Sequence, residues 1–242
     1  MIEALVFGLI ASSALVLGGV IGSLWRPPEL LTGVLLAFAS GALISALTIE
    51  LFGEAFELGG PVSSGLGLLA GAASFVLADG ALDRYVAGHP GAEARETASA
   101  GASGVGWALL AAVTLDGVPE NVALGVSLVE GASLALLVAI FVSNLPEALV
   151  GAVAMRGEGR SVRFVVVVWT VCAIILVISV VAGRGFAEGL GDQTLAVALS
   201  FAGGAVLASL ADTLMPEAFE HGRPWNAFAT AAGFFLSFVL AA

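Results

Sequence analysis

The sequence predicts an all-α integral membrane protein with eight transmembrane helices. Of its 242 residues, 59% are hydrophobic and 11% are charged, whereas a soluble domain has about 45–50% apolar and about 25% charged residues. The apolar residues form blocks long enough to cross a bilayer core as helices. These blocks have almost no polar face, which argues against a soluble helical bundle.

Eight blocks can be assigned as spans, numbered 1 to 8 in chain order. They cover residues 2–24, 30–52, 64–82, 104–128, 131–155, 162–183, 192–215 and 225–242. We expect span 1 to be a true transmembrane helix, because no positive residue precedes it as in a cleavable signal peptide. The 32 glycines favour close helix packing in a membrane. The only cysteine, Cys172 in span 6, excludes an internal disulfide and a cysteine-cage metal site.

The arginines predict the orientation. With eight spans, both termini lie on one side of the membrane. The loops on the opposite side contain seven of the eight arginines, and only Arg184 lies on the same side as the termini; the chain has no lysine. Because positive residues favour the cytoplasm, we expect both termini to be extracytoplasmic and the protein to lie in the cell membrane as a single polytopic domain, residues 1–242.

The longest predicted connection, residues 83–103, is rich in Gly, Ala, Ser and Glu and is expected to be a flexible cytoplasmic linker. It contains His89, for which solvent exposure and a metal-sensing role both remain open. The formal net charge of −11 has two interpretations: solubility, or an outer surface that concentrates cations.

Carboxylates inside the predicted spans are the main functional signal, because ionisable groups are costly in a bilayer. Asp116 and Glu120 are four residues apart in span 4, so they share one helical face. Glu147 lies in span 5, with Ser143 and Asn144 one turn before it. The turn between spans 4 and 5 is very short, so the two helices must be neighbours. The sequence therefore predicts a cation site, although protonated carboxylates in a packed bundle are an alternative.

Two prolines support the cation interpretation. Pro119 and Pro146 each remove a backbone hydrogen bond and are expected to kink their helices. They free the carbonyls of Leu115 and Val142. In a bilayer such carbonyls need a partner, which a cavity or a cation can supply.

These motifs resemble those of the ZIP (Zrt/Irt-like) family of divalent metal transporters. "DGVPEN", residues 116–121, stands where the family has His-Asn-x-Pro-Glu-Gly, and "SNLPEA", residues 143–148, where it has a polar pair followed by x-Pro-Glu-Gly. "ALTIELFGEAFE" in span 2 is similar to the family's Leu-Glu-Leu-Leu-Pro-Glu-Ala, with Gly53 replacing the proline. "GGAVLASLADTLMPEAFEHG" in span 7 is similar to its Gly-Gly-x-Leu…Pro-Glu ending.

The resemblance implies a ZIP-like bundle that moves divalent metal into the cytoplasm as its substrate, with no prosthetic group. It places Asp116, Glu120 and Glu147 at the metal, assisted by Asn144 or Ser143, with Asp212 or Thr213 contributing from span 7. Gly117 occupies the position of the motif asparagine, and no histidine remains in the spans. The expected site is therefore a single one of hard oxygen ligands, which favours manganese, iron or magnesium, while zinc stays open.

Other functions remain open to different degrees. A degenerate ZIP relative that does not transport, acting as a membrane metal sensor or partner subunit, fits the missing histidines. An intramembrane enzyme is disfavoured, because "LADGALD" around Asp79 is not a Gly-x-Gly-Asp protease motif. The expected partners are the lipid bilayer and divalent cations, not nucleic acid; a homodimer is left open.

The topology predicts the side from which the linker is reached. In a Cys172→Ala background, a cysteine introduced as Ser99→Cys should react with a membrane-impermeant thiol reagent only when the reagent has access to the cytoplasm. Labelling of intact cells from outside would contradict the assignment.

Overall fold

The computed structural model describes residues 1–87, 105–131 and 134–242, and all of its regular structure is helical. Nine α-helices follow one another in this part of the chain, and π-helical turns, Leu47–Gly53 and Leu210–Leu214, follow α2 and α7. The α-helices are α1 Ile2–Leu24, α2 Glu29–Ala46, α3 Glu54–Ala87, α4 Val105–Ser127, α5 Leu134–Gly157, α6 Val162–Ala187, α7 Asp192–Ser209, α8 Met215–Gly222 and α9 Asn226–Ala241.

The all-helical prediction is confirmed for the described residues, but eight separate helices are not seen there. The described residues form seven continuous helical stretches, because α2, its π-helical turn and α3 join, as do α7, its π-helical turn and α8. The predicted break between residues 52 and 64 is present as a kink: two helical segments meet at Gly60, which leaves helical geometry (φ 69°, ψ −179°), without a longer loop between them. Glycine adopts this positive φ without steric cost, and the next residue, Pro61, is tolerated at the start of a new helical segment.

Other boundaries agree within a few residues. Span 1 is observed as predicted, whereas span 7 was predicted to end at residue 215 and continues through α8 to Gly222. The predicted linker was placed one turn too early, because α3 remains helical to Ala87. Its remaining residues, with His89, lie outside the described part of the chain.

The surface is more apolar than that of a soluble protein. Large side chains such as Leu77, Ile178 and Phe228 are exposed, while alanine, glycine, serine and several charged groups are buried. Five described helical segments are long and apolar enough to cross a membrane; they are Ile2–Leu24, Glu29–Ala81, Leu134–Gly157, Val162–Ala187 and Asp192–Gly222. An apolar exterior of this extent is typical of a protein surrounded by lipid.

The helices pack in two sets. In the first, α1 lies against α5 and α6, and α4 lies against the same two helices. In the second, α3 runs along α7, and α2 runs along α9. Contacts of α2 with α5 and of α4 with α7 join the sets. The predicted neighbours α4 and α5 are therefore in contact within the first set.

The second set contains an internal repeat. "FASGA" (38–42) and "EAFE" (54–57) recur at the same spacing as "FAGGA" (201–205) and "EAFE" (217–220), and a π-helical turn lies between the motifs in each copy. Packing repeats as well. A Cβ on Gly41 would lie 2.7 Å from the carbonyl carbon of Thr230, and one on Gly204 would lie 2.8 Å from that of Leu68. The α2–α3 and α7–α9 units are thus related in sequence and in packing.

These close backbone contacts generate a stability prediction. In Gly41→Ala the new methyl group would also lie 2.9 Å from the backbone nitrogen of Phe234, so α2 and α9 must separate. We expect destabilisation of about 1–3 kcal/mol, seen as a lower melting temperature in detergent. The matched control is Gly65→Ala, where no atom lies within 4 Å. Equal melting temperatures for the two variants would contradict the packing.

Candidate metal centre

The carboxylates of α4 are inside the helical assembly. Asp116 is 5% exposed and Glu120 is 2% exposed. Pro119 lies between them, and the helix continues past it to Ser127. Four-residue spacing places the two carboxylates on one side of the helix. The sequence prediction that both are buried is therefore confirmed.

On α5, Ser143 and Asn144 are fully buried, and Glu147 follows one turn later, partly buried. Pro146 separates Asn144 from Glu147 within a continuous helix. The side-chain amide of Asn144 donates to the carbonyl oxygen of Ala11 on α1 at 3.4 Å. This contact anchors the polar face of α5 to the first helix.

One contact joins the two polar faces directly. The Ser143 hydroxyl lies 3.3 Å from Oε2 of Glu120 and 3.0 Å from the carbonyl oxygen of Ile140. Its single proton can be donated to only one of these acceptors at a time. The predicted meeting of α4 and α5 through their oxygen-bearing side chains is thus observed at this pair.

The third predicted carboxylate is electrostatically linked to the first two. The charges of Glu120, Asp116 and Glu217 all act on Glu147, whose Oε1 is buried and has no hydrogen-bond partner. Like charges in a poorly solvated interior repel strongly. When ionised, these carboxylates carry an excess of negative charge that a cation would offset.

Asp212 differs from the other predicted ligands. It lies in the π-helical turn after α7 and is exposed, and no contact places it beside the carboxylates of α4 and α5. Glu217, on α8, instead carries the acidic contribution of this region. From the sequence, Glu217 is predicted to lie with Asp212, Glu220 and His221 on an exit path for the cation, and not among the metal ligands.

Two further side chains near the site were not predicted. The Cys172 thiol on α6 lies 3.5 Å from the Thr114 hydroxyl on α4, and the charge of Glu147 acts on it. Asn121, next to Glu120, is fully buried. Its residue type gave no signal in the sequence, because only the fold shows that the side chain is buried.

No group of three or more His, Cys, Asp or Glu side chains is arranged to hold a metal ion within the described part of the chain. Asp116, Glu120 and Glu147 are therefore electrostatically linked without forming a closed three-carboxylate ligand shell. The neutral oxygens available as further metal ligands are those of the Ser143 hydroxyl and the Asn144 side-chain amide. A cation held here would be coordinated by carboxylates together with neutral oxygens.

No family model matches this sequence, and no curated protein matches it. The likeness to ZIP motifs consequently rests on the residues quoted above, and it bears on function only as a proposal.

The excess of buried negative charge predicts a trade-off between stability and binding. Glu147→Gln keeps the shape of the side chain but removes one charge from the cluster. We expect the metal-free protein to melt at a higher temperature, by about 2–4 °C for each kcal/mol gained. The control is Glu3→Gln at the exposed start of α1, which should leave the melting temperature unchanged. A lower melting temperature for Glu147→Gln would show that the carboxylate stabilises the metal-free fold.

Proposed function

We propose that this protein transports divalent metal cations, zinc, manganese or iron, across the cell membrane into the cytoplasm. The observation that carries the proposal is the buried contact between α4 and α5, where Glu120 meets Ser143. Asp116 and Glu147 add their negative charge to the same region. Acidic side chains inside a membrane protein generally mark an ion pathway or a proton relay.

The internal repeat supports transport rather than a purely structural role. If the bend at Gly60 separates two spans, the chain has eight, and α2 and α7 cross the membrane in opposite directions. The α2–α3 and α7–α9 units would then be inverted repeats. Many transporters are built from such repeats and bind their substrate near the bilayer midplane. The carboxylates of α4 and α5 are the substrate site in this proposal.

The donor set favours hard cations. Carboxylate, hydroxyl and amide oxygens suit manganese and magnesium, while iron and zinc also accept carboxylates. In this proposal the direction of transport, into the cytoplasm, follows from the resemblance to the ZIP family. Both termini are extracytoplasmic. In this proposal Glu217, on α8, continues the path of the cation beyond the carboxylates of α4 and α5. His221 follows Glu217 one turn later on α8, and the charge of His221 acts on Glu217.

A non-transporting metal sensor or partner subunit is the second candidate. It is favoured by the lack of a closed ligand shell of His, Cys, Asp or Glu among the described residues. A sensor would bind metal without moving it, so binding and flux separate the two functions.

Asp116 provides the direct test. In proteoliposomes, Asp116→Ala should reduce manganese uptake at least tenfold, because it removes a ligand and half of the paired charge on α4. Asp116→His should recover transport and shift preference towards zinc, since imidazole is a softer ligand than carboxylate. Asp192→Ala, at the exposed start of α7, is the matched control.

Two outcomes would contradict the proposal. If Asp116→Ala and Glu147→Ala each bind and transport every tested divalent metal like the parent, the site is wrong. If the parent binds metal at this site but passes none across the membrane, the sensor function replaces transport.

A further inference from the structure

A second group of polar atoms lies near the carboxylates, and two of its three members, Ser12 and Asn121, have no part in the proposed function. Most helical serine and threonine hydroxyls of the described residues donate to a carbonyl of their own helix. Ser40 bonds to Leu36 at 2.9 Å and Ser179 to Ile175 at 3.0 Å. Ser12 on α1 does not: it is 1% exposed, and its Oγ has no hydrogen-bond partner. Burying a hydroxyl without a hydrogen-bond partner is unfavourable, so Ser12 is a candidate ligand.

Two amides show the same property at their oxygens. Asn121 donates from Nδ2 to the carbonyl oxygen of Gly117 at 2.8 Å, and Asn144 donates from Nδ2 to that of Ala11. Both residues are 0% exposed, and both Oδ1 atoms lack a partner. Because each nitrogen is held by a backbone carbonyl, each oxygen is the free end of a fixed amide. These oxygens are placed to accept a donor or to bind a cation.

The three residues belong to one interior. Ser12 follows Ala11, the residue that accepts the bond from Asn144. On α1, Gly8 packs on Val177 and Gly19 packs on Trp169, both of α6. Ser12 lies between these two glycines, in the part of α1 that runs along α6.

Asn121 approaches the same part of α6. Helical side chains lean towards the N-terminus, so the Asn121 amide lies over Gly117. A Cβ on Gly117 would lie 3.0 Å from Cδ1 of Leu176, which places this point of α4 against α6. α1, α4 and α5 thus each contain a buried residue with an unpartnered oxygen, and α1 and α4 carry theirs where they pack on α6.

We propose that Ser12, Asn121 and Asn144, the neutral-oxygen cluster, bind a sodium ion. Uncharged oxygens carry no net charge to attract a divalent cation strongly, and transporters bind sodium through such oxygens and through backbone carbonyls released from helical hydrogen bonding. Pro146 supplies one such carbonyl, because it cannot donate to Val142. The neighbouring carboxylates give the region a negative potential, which stabilises the extra positive charge.

The site is tested by sodium-dependent stability of the full-length protein in detergent, without divalent metal. Sodium chloride is titrated against N-methyl-D-glucamine chloride at constant ionic strength. A ligand that binds only the folded protein raises its melting temperature with saturation. We expect a saturable rise of about 2–4 °C in sodium and none in N-methyl-D-glucamine.

Matched variants identify the residues. Ser12→Ala and Asn121→Leu should abolish the response, while Ser13→Ala should keep it, because the neighbouring Ser13 hydroxyl already donates to Ile10 at 2.7 Å. If Asn121→Leu does not fold, Ser12→Ala alone decides. Identical melting curves of the parent in the two salts would overturn the proposal, as would a full sodium response in Ser12→Ala.

Asp116→Ala separates this inference from the proposed function. Loss of manganese binding together with a retained sodium response supports two sites. A parent that responds to sodium but neither binds nor transports a divalent metal would refute the transport proposal and leave the sodium site standing.

Discussion

The Glu120 carboxylate, buried against the Ser143 hydroxyl at 3.3 Å, is the contact on which the rest of the account depends. It fixes α4 beside α5 at a point where both helices contain proline. It also brings an ionisable group into an interior that is largely apolar or neutral. A single hydroxyl proton cannot neutralise that charge, and Asp116 and Glu147 add to it. The interior is therefore electrostatically incomplete without protons or a cation.

The surrounding helices hold this contact in place through small residues. α1 approaches α5 so closely that a Cβ on Gly18 would lie 2.9 Å from Cβ of Ala148. The same close approach recurs between α2 and α9 and between α3 and α7, in corresponding positions of the repeat. In lipid, association of helices relies on such packing and not on hydrophobic burial. The glycines thus allow the helices to pack closely around the carboxylates of α4 and α5.

Much of the helical framework could be predicted from the sequence, because an apolar block in lipid must satisfy its backbone internally as a helix. The break between spans 2 and 3 was predicted within residues 52–64, but the sequence did not show that it is a kink at Gly60 and not a longer loop. The π-helical turns also leave no clear pattern in the sequence. At the site, helical spacing alone was enough to predict that Asp116, Glu120 and Ser143 lie where α4 and α5 meet. Asp212 was assigned by resemblance to a motif; it lies in the π-helical turn after α7 and is exposed.

Two residues enter the account mainly through the fold. Glu217 lies on α8, which packs on α2, and its charge acts on Glu147. Asn121 is an ordinary polar residue in the sequence; only the fold shows that its nitrogen is held and its oxygen is free. Burial and hydrogen-bond partners, not residue type, distinguish such groups.

The central claim is that a divalent cation occupies the region between α4 and α5. Crystals grown with manganese, with diffraction recorded on both sides of the manganese absorption edge, test it most directly. The account predicts an anomalous peak within about 2.0–2.6 Å of carboxylate oxygens of Asp116 or Glu120. Manganese peaks confined to exposed acidic side chains, with none between α4 and α5, would contradict it.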